Sequence, residues 1–247
     1  MGTLSGKVAI VAGSSRGIGK AIAIAYAREG AKVAVVARTE ARGKLPGTIG
    51  ETADAIRKEG GTALPIRCDI ADEEDVEAMV KKVVAELGPV DILCNSAAVI
   101  LYSKLLDTPF KRWELIFRVN VHGAFLLSKA VLPGMIERKS GSVIHLTSGG
   151  AVRWGKGGNA YGATKAALER MCFGMAAEMK EHNIAVNVLD PGPVKTEGAV
   201  FTRGDTADWS GWVDPAQIGP LAIQLATQTA QTMTAQTLRR VPLRPVK

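Results

Sequence analysis

Tyr161 and Lys165 are the residues of this chain whose spacing best suits acid–base chemistry. They stand four positions apart in a segment of helical pattern, so a phenol and an ammonium group share one helix face. A phenol titrates near ~10, but a neighbouring cation favours the phenolate and lowers its pKa. Upstream, Ser148 offers a hydroxyl that can hold a carbonyl oxygen while Tyr161 protonates it. Taken alone, this spacing is more often an ordinary surface pair, so the surrounding elements must decide.

A second chemical feature is a cluster of glycines near the start of the chain. Gly13, Gly17 and Gly19 follow an apolar run and lead into a helical pattern. Glycines at such a turn let the backbone approach a pyrophosphate and aim a helix N-terminus at the anion. The spacing Gly-x-x-x-Gly-x-Gly differs from the general Gly-x-Gly-x-x-Gly fingerprint. Its position at a strand-to-helix junction still favours a dinucleotide site.

The elements that must position these residues alternate along the chain. Strands are predicted at residues 7–12, 32–37, 62–67, 91–94, 141–147, 184–190 and 232–237. Helices are predicted at residues 17–29, 50–60, 73–87, 111–137, 159–181 and 215–226. Wholly apolar strands suit a sheet covered on both faces. The alternation predicts a doubly wound α/β fold of the Rossmann type, with about seven parallel strands and the ligand at their carboxyl ends.

Composition narrows the class of protein. The 247 residues suit a single domain over 1–247, and 47% apolar residues are ample for a core. The net charge of +7 has no basic run, which favours attraction of an anionic cofactor over nucleic-acid binding. Three cysteines and three histidines lack metal-ligand spacing, so no metal is expected. No signal peptide or membrane-spanning apolar stretch is visible, so we expect a cytoplasmic protein without a membrane partner.

With both motifs on one chain, the sequence resembles the short-chain dehydrogenase/reductase family over roughly residues 3–237. Further matches are Asp69 after the third strand, the segment 95–98 after the fourth, Asn120 between two valines, and the Pro-Gly turn and threonine of 190–196. The family pattern is not matched at Ala12, Ser96 and Ala98. A softer resemblance to hydroxysteroid-dehydrogenase-like proteins is carried by the lengthened connection 39–49.

The resemblance implies a catalytic tetrad, a dinucleotide site and a homodimer or homotetramer. The tetrad would be Asn120, Ser148, Tyr161 and Lys165. Tyr161 would be the general acid/base, with its pKa lowered by Lys165 and by the oxidised nicotinamide ring. Lys165 would bind the nicotinamide ribose, and Asn120 would anchor a water. The implied cofactor-binding residues are Gly13, Ser15, Arg16, Gly17, Ile18, Gly19, Arg38, Thr39, Asp69, Ile70, Asn95, Ala97, Tyr161, Lys165, Pro191, Gly192, Val194 and Thr196.

The end of the second strand predicts which dinucleotide is used. An NAD enzyme of this fold usually places Asp or Glu there to bind the ribose hydroxyls. Here Arg38 and Thr39 stand at that point, and no acid comes before Glu40. Arg38 and Arg16 offer planar guanidinium groups suited to a phosphate, so NADP(H) is predicted. The alternative is that both are solvated surface arginines.

The substrate is predicted from apolar residues that follow the strand ends and from a lid over residues 198–214. The predicted pocket wall consists of Ile100, Val152, Trp154, Phe201, Trp209 and Trp212. Such lining suits a small hydrophobic alcohol, ketone or aldehyde of terpenoid, steroid-like, aryl or aliphatic type, rather than a sugar or a charged acid. The alternative is that the lid tryptophans pack into a subunit interface.

Two other functions stay open. One is reduction of a 3-oxoacyl thioester, because Arg153 and the basic residues near the C-terminus could meet a carrier's acidic surface. The other is a catalytically idle dinucleotide-binding sensor or scaffold, against which the complete tetrad argues. The tail 239–247 departs from the family's usual ending and receives no role.

Overall fold

The chain folds around a sheet whose strands are all parallel. We obtained a computed structural model of the protein, which describes residues 2–204 and 206–242. Seven strands lie in the order β3-β2-β1-β4-β5-β6-β7. Their bounds are β1 Val8–Ala12, β2 Lys32–Ala37, β3 Thr62–Arg67, β4 Ile92–Asn95, β5 Gly141–Leu146, β6 Ile184–Asp190 and β7 Thr237–Arg239. The strand order reverses between β1 and β4, which opens a crevice at their carboxyl ends.

Helices cover both faces of this sheet. Their bounds are α1 Gly17–Arg28, α2 Ile49–Lys58, α3 Glu73–Leu87, α4 Phe110–Phe117, α5 Gly123–Arg138, α6 Asn159–Met179, α7 Glu197–Arg203 and α8 Gly219–Ala226. One core layer contains side chains of α1, α2 and α8, and the other contains those of α3, α5 and α6. In β1, Ile10 packs in the second layer and Val11 in the first, so apolar residues are needed on both faces. The predicted doubly wound fold is confirmed.

Helices α4 and α5 are joined without a break by a π-helical turn, Arg118–His122. Such turns occur frequently at functional sites, because the extra residue re-aims a side chain. Here the turn carries Asn120, which is buried. Among the described residues, Phe110–Arg138 is the one helical stretch long and apolar enough to cross a membrane. Its side chains Leu127 and Val131 pack in the core against the sheet, which accounts for this composition.

The last strand lies further along the chain than predicted. The prediction was a strand over 232–237, whereas β7 begins at Thr237. The residues before it form a turn, in which the Thr229 amide donates to Thr232 Oγ1 at 2.8 Å. Ala235 then has a φ of 55°, which lies outside the strand region. These two features delay the start of the strand.

The stretch predicted to be a loop-like lid begins with a helix. Thr196 Oγ1 accepts a hydrogen bond from the Ala199 amide at 3.1 Å and caps the N-terminus of α7. Such a cap satisfies one of the amides that a helix leaves unpaired at its start. The residues after α7 form turns, in which Gly204 and Gly211 have positive φ.

Candidate active site

The glycine turn between β1 and α1 is closely packed. An added Cβ at Gly13, whose φ is 79°, would lie 2.5 Å from the Ala97 nitrogen. An added Cβ at Gly19 would lie 2.2 Å from the Gly13 oxygen. Only glycine lets β1, α1 and the β4 end approach this closely. The first turn of α1 carries no acidic residue and no side-chain cap of its own, so its amides suit a phosphate.

A cleft of about 340 Å³ lies beside this turn. From the turn itself it is lined by Gly13, Ser15, Arg16, Gly17 and Ile18. From the ends of β2 and β3 it is lined by Arg38, Thr39, Asp69 and Ile70. Beyond β4 it is lined by Ala97, Tyr161, Lys165, Pro191 and Thr196. The structure thus gathers fourteen of the eighteen residues predicted to bind the cofactor around one cleft.

Two arginines hold defined positions in this cleft. Arg38 Nη1 lies 3.8 Å from Asp69 Oδ2 at the β2–β3 end, and its side chain is more than half exposed. Arg16 donates from Nε to the Pro46 oxygen at 2.8 Å and from Nη2 to the Gly47 oxygen at 3.0 Å. Arg38 is therefore free to meet a phosphate from the cleft side, whereas Arg16 fastens the lengthened 39–48 connection to the glycine turn.

Tyr161 stands where this cleft meets a second, smaller cavity of about 170 Å³. The Lys165 side chain lines the cleft, Ser148 lines the smaller cavity, and Tyr161 lines both. Lys165 Nζ lies 5.6 Å from the centre of the Tyr161 ring and donates to the Leu146 oxygen at 2.7 Å. The arrangement separates a nucleotide side from a substrate side around one phenol.

The fourth residue, Asn120, connects the β4 end to α6. Its Oδ1 accepts from the Val99 amide at 2.8 Å, and its Nδ2 donates to the Val99 oxygen at 2.9 Å. The same Nδ2 donates to Thr164 Oγ1 at 3.1 Å, next to Lys165 in the chain. Of the four predicted tetrad residues, Tyr161 and Lys165 therefore line the cleft, Ser148 lines the smaller cavity, and Asn120 is buried beside Val99 and Thr164.

The chain is similar to known proteins in sequence and in fold. A family model described as short chain dehydrogenase matches residues 7–206. The chain belongs to the short-chain dehydrogenase family. It is 42% identical over 198 residues to a short chain dehydrogenase of Pseudocercospora fijiensis. This match covers 79% of the present chain and 62% of the fungal protein. It is 40% identical over 193 residues to hydroxysteroid dehydrogenase-like protein 2 of Bos taurus, covering 77% of this chain and 46% of that protein.

This short-chain dehydrogenase thus spans about half to three fifths of the length of these curated relatives. Among solved structures, it superimposes with a TM-score of 0.85 on a 3-oxoacyl (acyl-carrier-protein) reductase from Agrobacterium tumefaciens with NADP bound. The two are 29% identical, and the match covers 96% of this chain and 93% of the other. The family and fold predicted from sequence are both confirmed.

Burial shifts the pKa values of Tyr161 and Lys165. It raises the pKa of Tyr161 above the ordinary value, Tyr102 adds to the rise, and a hydrogen bond with Ser148 acts in the opposite direction. Burial also lowers the pKa of Lys165 to about 8. The lowering of the Tyr161 pKa by Lys165 together with the oxidised nicotinamide ring stays a prediction, and the residues of the chain alone raise this pKa. Desolvation disfavours both charged forms, and the Leu146 oxygen holds the ammonium group.

Four residues predicted to bind the cofactor have positions behind the cleft wall: Gly19, Asn95, Gly192 and Val194. Asn95 is buried, and its Oδ1 accepts from the Ala97 amide at 3.1 Å. Val194 forms a β-bridge with Val213. None of these four residues lines the cleft.

The predicted substrate wall is only partly assembled. Ile100 lines the main cleft, but Val152 and Trp154 are exposed and line neither cavity. Phe201 lines a separate groove outside α1. Trp209 and Trp212 pack edge to face, with ring centroids 5.1 Å apart.

The prediction of an aromatic lid over Tyr161 is therefore corrected. The Thr196 cap starts α7, which directs Phe201 toward α1. The cation of Arg203 lies 5.0 Å from the Trp212 ring and 5.9 Å from the Trp209 ring. Lys195 Nζ lies 5.2 Å from the Trp209 ring. Cation–π contacts of this kind hold the two tryptophans at the lid base, away from the substrate side.

Sequence reasoning missed Glu197, which lies at the start of α7. Its Oε2 accepts from the Gly17 amide at 2.9 Å, across 180 positions of the chain. The carboxylate therefore supplies the negative charge that the N-terminus of α1 lacks locally. The acid directly after Thr196 was visible in the sequence, but its partner depends on how α7 meets α1.

Arg239 and Arg240 were also missed as site residues. Arg240 donates from Nε to the Pro191 oxygen at 2.6 Å and from Nη2 to the Pro193 oxygen at 3.2 Å. Arg239 Nε lies 3.7 Å from Asp190 Oδ2. These residues hold the Pro-Gly turn beside the cleft. Within the tail that received no role, residues 243–247 lie outside the described part of the chain.

Proposed function

We propose that this protein transfers a hydride between NADP(H) and an alcohol or carbonyl compound with an apolar body. The observation that carries the proposal is the position of Tyr161 between the nucleotide cleft and the smaller cavity. A carbonyl in the cavity can contact Ser148 and Tyr161 while a nicotinamide in the cleft lies on the Lys165 side. Membership of a family of dehydrogenases supports this reading.

The residues of the chain supply proton transfer and positioning. When bound, the nicotinamide ring gives or accepts the hydride. Ser148 orients the substrate oxygen, and Tyr161 donates its phenolic proton to the oxygen as negative charge develops there. Because burial raises the pKa of Tyr161, the phenol is protonated at neutral pH, which is the form that carbonyl reduction requires. Lys165 and the Asn120 contacts fix the inner end of the cleft.

The choice of NADP(H) rests on Arg38. The end of β2 has no carboxylate that could accept hydrogen bonds from the ribose hydroxyls. The exposed Arg38 guanidinium lines the cleft at this point. Asp69 lies within 3.8 Å of it but leaves other donors of the guanidinium fork available. The reductase from Agrobacterium tumefaciens, solved with NADP bound, supports this choice. Arg16 contributes charge nearby, although its side chain is held by the 39–48 connection.

Tyr161→Phe provides the direct test of the catalytic role. Turnover of NADPH with a panel of ketones is expected to fall by more than tenfold, at least ~1.4 kcal/mol of barrier, while NADPH binding stays close to that of the parent. Tyr102→Phe is the matched control, because Tyr102 lines the same small cavity but not the cleft. Retention of more than about a tenth of the activity by Tyr161→Phe would show that another group transfers the proton.

The same panel separates the alternatives. A 3-oxoacyl-thioester reductase is favoured by two cationic residues, Arg153 and Lys156, that line the small cavity. An idle sensor would bind NADPH and consume none with any carbonyl compound. We also propose a homodimer or homotetramer, which rests on the family resemblance alone.

A further inference from the structure

The residues that line the small cavity beside Tyr161 carry a net positive charge. It is lined by the side chains of Tyr102, Ser148, Arg153, Lys156 and Tyr161, with glycine backbone between them. No carboxylate lines it within the described part of the chain. Among the described ion pairs within 4.0 Å, none includes Arg153 or Lys156. Arg153 and Lys156, both exposed, therefore stand on the substrate side of Tyr161 without an ion-pair partner within 4.0 Å, and Asp190 is the carboxylate near the Arg153 side chain.

Backbone hydrogen bonds hold the segments that carry these two residues. The Arg153 amide donates to the Gly149 oxygen at 2.9 Å, in the turn that follows Ser148. The Ser103 amide donates to the Gly157 oxygen at 2.9 Å and joins the Tyr102 segment to the Lys156 segment. These bonds bring two connections together over the catalytic hydroxyls.

Glycine keeps the cavity open at its base. An added Cβ at Gly150 would lie 3.6 Å from Ser148 Oγ and 3.6 Å from the Tyr161 ring. A side chain extending from this position would fill the space next to the Ser148 hydroxyl and the Tyr161 ring. A cavity of about 170 Å³ is smaller than the ~300–1,000 Å³ pockets that enclose drug-sized ligands. It suits a compact polar group, and a longer substrate must extend out of the cavity.

We propose that Arg153 and Lys156 bind an anionic group of the substrate, a carboxylate or a phosphate, a few bonds from the carbonyl held by Ser148 and Tyr161. A planar guanidinium can pair with two oxygens of such a group, and the ammonium adds a second charge. The inference rests on the proposed hydride transfer and names its substrate class as oxo acids or oxoalkyl phosphates. It replaces the expectation from the sequence that a charged acid is disfavoured, because cationic residues and no aliphatic side chain line the small cavity among the described residues.

A matched set of substrates tests the inference. We would measure kcat/KM with NADPH for a 3-oxo carboxylic acid, its methyl ester, a neutral ketone of equal length and an oxoalkyl phosphate. The parent protein is expected to prefer an anionic compound over the ester by at least tenfold, mainly through KM. The preferred anion, carboxylate or phosphate, identifies which group the cations receive.

Substitutions then assign the preference to its residues. Arg153→Met and Lys156→Met should each reduce kcat/KM for the anion by about tenfold or more, with the ester changed less than twofold, and Arg153→Lys should restore part of the loss. Lys58→Met is the control, since Lys58 ends α2 at the opposite edge of the sheet. Active turnover of the neutral ketone and the ester with no anion preference, or equal losses on all substrates, overturns the inference alone. Absence of turnover with every compound overturns the proposed function.

Discussion

At the scale of single residues, Tyr161 is the group whose surroundings matter most. Its ring centroid lies 6.1 Å from that of Tyr102, and Ser148 is its polar neighbour in the smaller cavity. Burial raises the pKa of Tyr161, and Tyr102 and Asp190 add to the rise, so we propose that the phenol starts as a proton donor. The sequence predicted which residues meet here, because their helical spacing is local. It did not predict the direction of the pKa shift, because burial is set by residues far apart in the chain.

At the same scale, we propose that Arg38 selects the cofactor. Arg38→Asp should reverse the preference from NADPH toward NADH, because a carboxylate repels the phosphate and can accept hydrogen bonds from ribose hydroxyls. The measurement is the ratio of kcat/KM values for the two cofactors with one ketone. Arg42→Asp is the control, since Arg42 lies on the same connection, is exposed and does not line the cleft. An unchanged ratio in Arg38→Asp would assign the phosphate to another cation.

His145 links the site to acid stability. Burial lowers its pKa to about 3, and nearby Lys165 contributes to the same shift. Ser128 Oγ donates to the Ala124 oxygen at 2.8 Å, so it accepts from His145 Nε2 at 2.9 Å. Nδ1 is then unprotonated and accepts from Asn95 Nδ2 at 3.2 Å. The neutral imidazole is fully used, and there is no partner for a second ring proton.

The pH dependence of unfolding follows from this. In the unfolded chain His145 becomes protonated below about pH 6.5. In the folded protein it stays neutral until the pH falls to about 3. The free energy of unfolding should therefore decrease on acidification by up to ~1.4 kcal/mol per pH unit across that window. Urea unfolding measures the free energy of unfolding at pH 7 and at pH 5. Its decrease between the two pH values should be about 2 kcal/mol smaller for His145→Gln than for the parent. Equal losses would mean that other groups dominate.

At the scale of elements, α7 and its neighbours explain where sequence prediction failed. Phe201, Trp209 and Trp212 were predicted to line the substrate pocket because they are aromatic and follow a strand end. Their directions depend on the Thr196 cap and on Arg203, which are contacts between side chain and backbone or cation and ring. Apolar composition alone carries no information about such directions.

The contact between α7 and α1 gives a prediction about cofactor affinity. Glu197 places a carboxylate on the first amide of α1, where an incoming pyrophosphate requires the same positive end of the helix. Glu197→Gln should tighten NADPH binding by about three- to tenfold, since a charge at a helix terminus is worth ~0.3–1 kcal/mol or slightly more. Fluorescence titration of the cofactor measures this. Glu181→Gln, at an exposed position, is the control, and weaker binding in Glu197→Gln would assign the carboxylate a supporting role instead.

At the scale of the whole molecule, the sheet was predictable and the connections less so. The first six strands agree with their apolar runs to within a residue, because a buried parallel strand needs apolar side chains on both faces. The seventh was displaced by a turn around Thr229 and by Ala235. The cleft could be located because the strand order of a doubly wound sheet fixes where it opens. Glu197 and Arg240 act across large chain separations, which local patterns do not record.

The two hydrogen bonds from Arg240 to the Pro191–Pro193 turn have a consequence for biosynthesis. Chains form from the N-terminus, and segments begin to fold as they emerge. The glycine turn and β1 are made first, yet the turn that closes the same cleft receives its support from a residue made some 220 positions later. A nascent chain that ends after β6 contains most of the residues that line the cleft. It lacks Arg240, which contacts the Pro191–Pro193 turn. The turn beside the cleft therefore gains its contacts with Arg240 only late in translation.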